Sequence, residues 1–396
     1  MSKTRKNHYV PEWYQRGFFA QNTDTYHYLD LRPDTKKLKD GRVIQLNSGW
    51  LNSPSSCFFQ TDLYTTFFGK YVNDDIEKYF FGEIDDKGAR AIRAFISDDY
   101  ALWHKHFTDF FSYMDTQKIR TPKGLDWINS NYPELNKVDL LMEMQSLRDT
   151  HRTVWTECVR EIVFATDSNI KFIVTDHPVT VYNRAIPPGS DKYIYPNEPS
   201  IVLKGTQTIF ALDKNHCMIL TNLEFAKKPL IDTATDKRTF PRMIRQSMTR
   251  TDAFIRQRQL SELDVASINY ILKSRAKRYI AAEKEEWLYP ENVITCDWAN
   301  LGNVLNPPDN KLYKFGGEII VGYKDGQSYW QDEHGRTIPE NPYLKRDDID
   351  YRPGPNDSCG CGSGKLYKNC CLSLPKRKRP AWDVLGIRER SLILYR

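Results

Sequence analysis

Near the carboxyl end of this chain two cysteines one residue apart, Cys359 and Cys361, are followed after eight residues by the adjacent pair Cys370 and Cys371. Four thiols so spaced converge on one tetrahedral ion if the stretch between them folds back, and structural Zn²⁺ takes such a set. Gly360, Gly362 and Gly364 lie in or beside that stretch. Glycine reaches positive φ without steric penalty, which opens a tight reversal. A closed set of four thiolates leaves no position for water or substrate, so the expected role is structural. The other cysteines, Cys57, Cys158, Cys217 and Cys296, have no framework spacing and read as reduced thiols.

A second group of chemistry-bearing residues lies in the body of the chain. Glu77 and Asp85 are eight residues apart, within about 80° of one another on a helical face. With His8, and with Asp176 at the end of a β-branched apolar run, they would hold a second divalent cation or divide acid and base roles. Gln117 and Arg120 would then supply donors to a phosphate or oxyanion. The predicted catalytic set is therefore His8, Glu77, Asp85, Arg120 and Asp176. Each has a plainer reading. Acidic residues near a helix start are common, Asp176 would cap the turn at His177-Pro178, His8 would fix the chain start, and Arg120 would pair a buried carboxylate.

These residues need elements to position them. Apolar residues at three- and four-residue steps predict a helix from Asp74 through Ile84, continued by Ala89, Ile92 and Phe95 with a break near Gly88. Further helices are expected over 101–118, 138–163, 241–259 and 262–287. The run 170–175 reads as a buried strand, and a strand pair is expected at 200–212 and 217–220. Residues 318–323 and 328–331 predict a hairpin around Lys324-Asp325-Gly326. The fold class expected is α+β: a helix-rich body with a small mixed or antiparallel sheet, plus a C-terminal zinc knuckle. Domain boundaries follow from composition. Residues 1–290 form the body, 291–340 a β-hairpin extension, 341–355 a Pro- and Asp-rich linker, 356–374 the zinc knuckle and 375–396 a basic tail.

A chain of 396 residues is long for a single core. No run reaches eighteen apolar residues, and no apolar segment follows the charged start, so neither a membrane span nor a secretory leader is expected. The expected location is cytoplasmic. Charge is uneven: residues 345–396 carry twelve Lys and Arg against six Asp and Glu, leaving 45 of each sign in the first 344. Lys376-Arg377-Lys378-Arg379 is the densest cluster, suited to phosphate backbones, to an acidic protein face or simply to solvent. Arg242, Arg245, Arg250, Arg256 and Arg258 give a later stretch the same character. Gly362-Ser363-Gly364-Lys365 lacks the upstream glycine and strand of a phosphate-binding loop. No Gly-x-Ser-x-Gly elbow, His-Glu-x-x-His pair or dinucleotide fingerprint is present.

The run Asn356-Asp357-Ser358-Cys359-Gly360-Cys361-Gly362-Ser363-Gly364-Lys365-Leu366-Tyr367-Lys368-Asn369-Cys370-Cys371 closely resembles the SEC-C motif, known from the carboxyl end of the translocation ATPase SecA. The resemblance implies zinc ligation by Cys359, Cys361, Cys370 and Cys371, the last standing where SecA has His. It also implies partners of the kind SecA's module engages, a SecB-like chaperone or the ribosome. The body, over about 7–285, resembles a bacterial family of unknown function recognised by an amino-terminal His-Tyr-x-Pro motif. The resemblance rests on His8-Tyr9-Val10-Pro11, Ile76-Glu77-Lys78, Gln117-Lys118-Ile119-Arg120-Thr121-Pro122, Phe172-Ile173-Val174-Thr175-Asp176-His177-Pro178, and the stretch 265–277 with Asn269. It implies an α+β domain and no established reaction. Where that family has a glutamate in its acidic helix, this chain offers Glu83 and Asp85.

Together these features suggest a bacterial nuclease or nucleic-acid-modifying enzyme in a toxin or phage-defence setting, recruited through its zinc module. The alternative is a non-catalytic adaptor whose zinc knuckle docks a SecB-like chaperone, a ribosome or nucleic acid.

Overall fold

Eight short strands are described in the first 73 residues: β1 (Lys6–His8), β2 (Tyr26–Asp30), β3 (Thr35–Lys37), β4 (Val43–Gln45), β5 (Gly49–Asn52), β6 (Phe59–Thr61), β7 (Thr66–Phe68) and β8 (Tyr71–Asn73). The computed structural model describes residues 6–20, 23–64, 66–68, 71–73, 81–147, 150–156, 158–191, 193–227, 233–238, 254–256, 258–307, 320–324, 327–331, 337–338, 353–359, 361, 363–375 and 378–379. Between β1 and β2, helix α1 (Glu12–Gln15) starts directly after Pro11, whose fixed φ and missing N–H cost nothing at a helix start.

Five helices follow: α2 (Gly82–Ile96), α3 (Tyr100–Ile119), α4 (Pro122–Asn131), α5 (Lys137–Ser146) and α6 (Thr150–Thr156). The Asp99 side chain caps α3 by accepting from the amides of Ala101 and Leu102. Its far end is set by Thr121-Pro122, because a residue before proline is pushed out of helical ψ, and Thr121 sits at ψ 157. Thr121 then caps α4, accepting from the Gly124 amide. One helix end thus passes straight into the next helix start.

The second half supplies β9 (Val159–Phe164), β10 (Val174–Thr175), β11 (Val179–Asn183), β12 (Thr206–Ala211), β13 (His216–Thr221), α7 (Leu223–Lys227), α8 (Glu262–Arg275) and β14 (Tyr279–Ala282). Two four-stranded sheets result, ordered β11-β12-β13-β9 and β10-β14-β2-β5, with every pairing antiparallel. The molecule is α+β. A hairpin of β15 (Ile320–Lys324) and β16 (Gln327–Gln331) stands where the sequence predicts one, with β17 (Thr337–Ile338) added at its edge.

Several expected elements differ. In place of the one helix expected over 138–163 stand α5 and α6, the second ending at Thr156, and 159–164 is strand β9, where Val159, Ile162 and Val163 are buried. A β-branched run buried on both faces fits a strand better than a helix. Of the helix expected over 241–259, residues 254–256 and 258–259 are extended, with parallel bridges Glu161↔Ile255 and Phe164↔Gln259; the remainder lies outside the described residues. The helix expected over 262–287 ends at Arg275, and the chain then enters β14. Only Val174 and Thr175 of the strand expected at 170–175 pair in a sheet. Glu77, the 341–352 part of the linker, and Lys376 and Arg377 lie outside the described residues.

Helix α2 runs unbroken through Gly88. The reason is a close approach: a Cβ on Gly88 would stand 2.3 Å from Cδ2 of Tyr113, a fully buried ring on α3. The two helices also stack Phe95 on Phe110, centroids 4.2 Å apart. Gly88→Ala should therefore destabilise the fold by about 1–3 kcal/mol, because overpacking a buried contact outweighs alanine's better helix propensity. Urea unfolding of wild type and variant checks this; a stabilised variant would refute the close packing.

Candidate functional site

The segments 117–122 and 172–178, far apart in sequence, meet in space. His177 Nδ1 lies 2.8 Å from Thr121 Oγ1, and its Nε2 lies 3.3 Å from Glu198 Oε2. Lys118, on the last turn of α3, donates to Glu198 Oε2 at 2.8 Å and to the Val179 carbonyl at 3.3 Å. Lys123, on the first turn of α4, donates to Glu198 Oε1 and to the Arg275 carbonyl, each at 2.6 Å. Two ammonium groups, 12% and 7% exposed at their side chains, share one carboxylate. A cavity of about 140 Å³ opens beside them, lined also by Trp127, His151 and Pro196.

The charges in this cleft follow from burial. Burial lowers the affinity of Lys123 for its proton, against the pull of Glu198. Burial alone would raise the pKa of Glu198, but Lys118, Lys123 and His177 outweigh it and hold the carboxyl well below its usual range. Burial pushes His177 down to about 4, with Glu198 opposing. His177 is therefore neutral at physiological pH. Thr121 Oγ1 accepts from the Gly124 amide and gives its own hydrogen to His177 Nδ1, which leaves Nε2–H directed at Glu198. At neutral pH the group carries one positive charge in excess.

The residues predicted from sequence fall in three places. Asp176 turns its carboxylate away to accept the amides of Lys277, Arg278 and Tyr279 at 2.8, 2.6 and 2.9 Å. Burial raises its pKa against those three bonds. Arg120 and Asp85 do meet, with Nη1 2.9 Å from Oδ1. Arg120 Nε also donates to Gln117 Oε1 at 2.8 Å, and its guanidinium lies over Phe81 at 5.2 Å. Burial raises the pKa of Asp85 and Arg120 opposes this. His8 stands elsewhere, 3.7 Å from Glu12 and against the Phe59 ring. The two described arginines of the basic stretch are engaged internally: Arg258 binds Glu161 through two 2.7 Å bonds, and Arg256 reaches Asp98 and the Phe95 and Ile96 carbonyls.

Lys118, Lys123, His177 and Glu198 were not singled out by sequence reasoning. One signal was available: Lys118 falls on the stripe of Phe111 and Met114, both fully buried, so a lysine stands where helical periodicity calls for an apolar side chain. Glu198 sits on an irregular loop and offers no such signal.

The four C-terminal cysteines converge as their spacing predicts. Their sulfurs all lie within 4.8 Å of one another, close to the roughly 3.8 Å that tetrahedral bonds of about 2.3 Å impose. The Cys359 amide bonds the Lys365 carbonyl at 2.8 Å, Ser358 pairs with Leu366, and Gly364 turns the loop at φ +71. Two 3₁₀ turns, Tyr367–Asn369 and Cys371–Ser373, carry the second pair. The donor set fits a thiophilic metal ion.

A family model described as "Protein of unknown function (DUF4238)" matches residues 6–286. The chain belongs to this family. Its described DUF4238 region contains the charged cleft and both converging segments. Beyond it, YecA of Escherichia coli is 29% identical over 110 residues, covering 22% of this chain and 48% of YecA. SecA of Chlorobium phaeobacteroides, a protein translocase subunit, is 43% identical over 47 residues, 12% of this chain and 4% of SecA. A UPF0225 protein of Vibrio parahaemolyticus is 27% identical over 124 residues, 26% of this chain and 72% of that protein. This chain thus spans about half the length of the YecA proteins it matches. No solved structure matches it. No helix among the described residues is long and apolar enough to cross a membrane.

The cleft makes stability depend on pH. Folded His177 binds its proton less readily than an unfolded histidine at 6.5. Its contribution is therefore whole above about pH 6.5 and is lost as pH falls toward 4, up to about 3 kcal/mol. Glu198, whose pKa is depressed, acts in the same direction at more acid pH. The melting temperature should fall from pH 6.5 to 4, and His177→Gln should flatten that fall. Equal slopes in the two proteins would refute the assignment.

Proposed function

We propose that the body binds a phosphate-bearing small molecule in the Lys118, Lys123, His177 and Glu198 cleft, and that the C-terminal module, closed around Zn²⁺, recruits the protein to a partner. The observation that carries the first half is the pair of nearly buried ammonium groups beside a cavity with only one carboxylate between them. Removing charges from water is costly, and an anion entering the cavity would lower that cost. A metal-dependent nuclease would need open carboxylates. Asp85 and Asp176 are instead held by an arginine and by three amides.

Zinc is favoured by the all-thiol set of four and by the similarity to SecA. Cys359, Cys361, Cys370 and Cys371 would hold the ion as a structural element, leaving no site for chemistry on it. The docking part of the adaptor reading belongs to this module, with a SecB-like chaperone as the partner, in the cytoplasm. The division into a body to residue 290, an extension over 291–340, a linker over 341–355, the module at 356–374 and a basic tail over 375–396 belongs to the same proposal.

Titration calorimetry with inorganic phosphate and phenyl phosphate tests the cleft. Wild type should bind, and Lys118→Met should weaken binding at least about tenfold, as loss of one charge-assisted bond implies; no heat from wild type at millimolar ligand would sink the reading. Elemental analysis should give close to one zinc per chain, lost on Cys359→Ser with Cys370→Ser. A metal-free protein with four titratable tail thiols would show the module to be something else.

A further inference from the structure

One histidine lining the cavity is held differently from His177. Asp115, wholly buried on α3, places Oδ1 2.6 Å from Nδ1 of His151, at the start of α6. Its other oxygen accepts the His151 backbone amide at 3.3 Å. The ring also stacks on Trp155, centroids 5.1 Å apart and planes 22° apart. Two bonds and a stacking contact fix its orientation. A carboxylate only accepts, so the hydrogen of the neutral ring sits on Nδ1 and the lone pair on Nε2. Among the described residues Nε2 has no hydrogen-bond partner, and His151 lines the same cavity as Lys118, Lys123 and His177.

We propose that His151 is the general base of a hydrolytic reaction on a phosphate ester held in this cleft, with Asp115 as its positioning residue. This rests on the reading that the cleft binds phosphate. Neutral His177 cannot take the role, because Thr121 and Glu198 occupy both its nitrogens. His151 Nε2 removes a proton from a water molecule as the water oxygen bonds to phosphorus. The ester P–O bond breaks with its electron pair on the leaving oxygen. Lys118 protonates that oxygen and regains its proton from the imidazolium through solvent. The products are inorganic phosphate and an alcohol, with no oxidant or co-reactant beyond water. The ammonium groups offset charge on the transferring phosphoryl group where it develops.

The test uses the full-length protein with p-nitrophenyl phosphate as substrate and phenyl phosphate as binding probe. Wild type should bind the probe and release p-nitrophenolate. His151→Gln should keep probe affinity within about twofold and lose at least about 100-fold in kcat, the usual share of a general base. Asp115→Asn should shift the acid limb of the pH profile of kcat/KM, which a purely structural role would not do. His151→Asn serves as a second variant if His151→Gln fails to fold, with circular dichroism as the check. Binding without hydrolysis, or hydrolysis undiminished in His151→Gln, overturns this inference and leaves the cleft reading intact. Absence of probe binding removes both.

Discussion

The constraint on which the cleft depends is the burial of two lysine ammonium groups against a single carboxylate. A paired charge out of water is stable only when its remaining donors are also satisfied. Lys118 and Lys123 meet this in part, each with one backbone carbonyl, one on β11 and one at the end of α8. The lysines on α3 and α4 are thereby tied to a strand of one sheet and to the helix that precedes a strand of the other. Glu198 is the common acceptor, so the loop that carries it is fixed by the same charges. Removing Glu198 would leave two buried cations facing each other, whereas removing one lysine would leave the other still paired.

Asp176 has a matching structural role on the other side of His177. Its carboxylate gathers three successive amides where α8 passes into β14. In the same place Asp176 gives its own amide to the Tyr279 carbonyl. Such a clamp fixes the direction in which β10 leaves the sheet, and with it the position of the next residue, His177. An acid that positions a neighbouring histidine through the backbone is read from sequence as catalytic for a sound reason. It is an uncompensated carboxylate at a strand end beside a histidine, and only the fold reveals that its oxygens are already engaged.

The sequence's legibility follows from how local each determinant is. The cysteine centre was readable because four ligands, three glycines and a turn lie within thirteen residues, and the geometry is fixed by that segment alone. Helices α2 and α3 were readable from periodicity. The failures share one cause. Strand β9 reads as a helix continuation because its burial depends on β13, more than fifty residues away, and α2 passes through Gly88 because of Tyr113 on another helix. Glu198 could not be found at all: its meaning comes entirely from Lys118, Lys123 and His177. The plainer reading of Arg120, a partner for a buried carboxylate, does not name that carboxylate; it is Asp85, and the guanidinium lies over Phe81 and Tyr113 where α2 packs against α3.

The chain thus separates two uses of polar chemistry. At the carboxyl end the four thiols are near in sequence and converge, and a metal ion held by all four would have no position left for substrate. In the DUF4238 region the polar groups come from α3, α4, α6, the segment between β10 and β11, and a loop, and they surround space. Among the described titratable groups at that cavity, His177 has both nitrogens engaged and the lysines are bound to Glu198. His151 is the group held in one orientation with a nitrogen left over. A closed donor set has no remaining valence for a substrate, and an Asp-oriented histidine beside a cationic cavity does. For that reason the reactivity proposed for this protein is assigned to the body, and the proposed recruitment to the cysteine module.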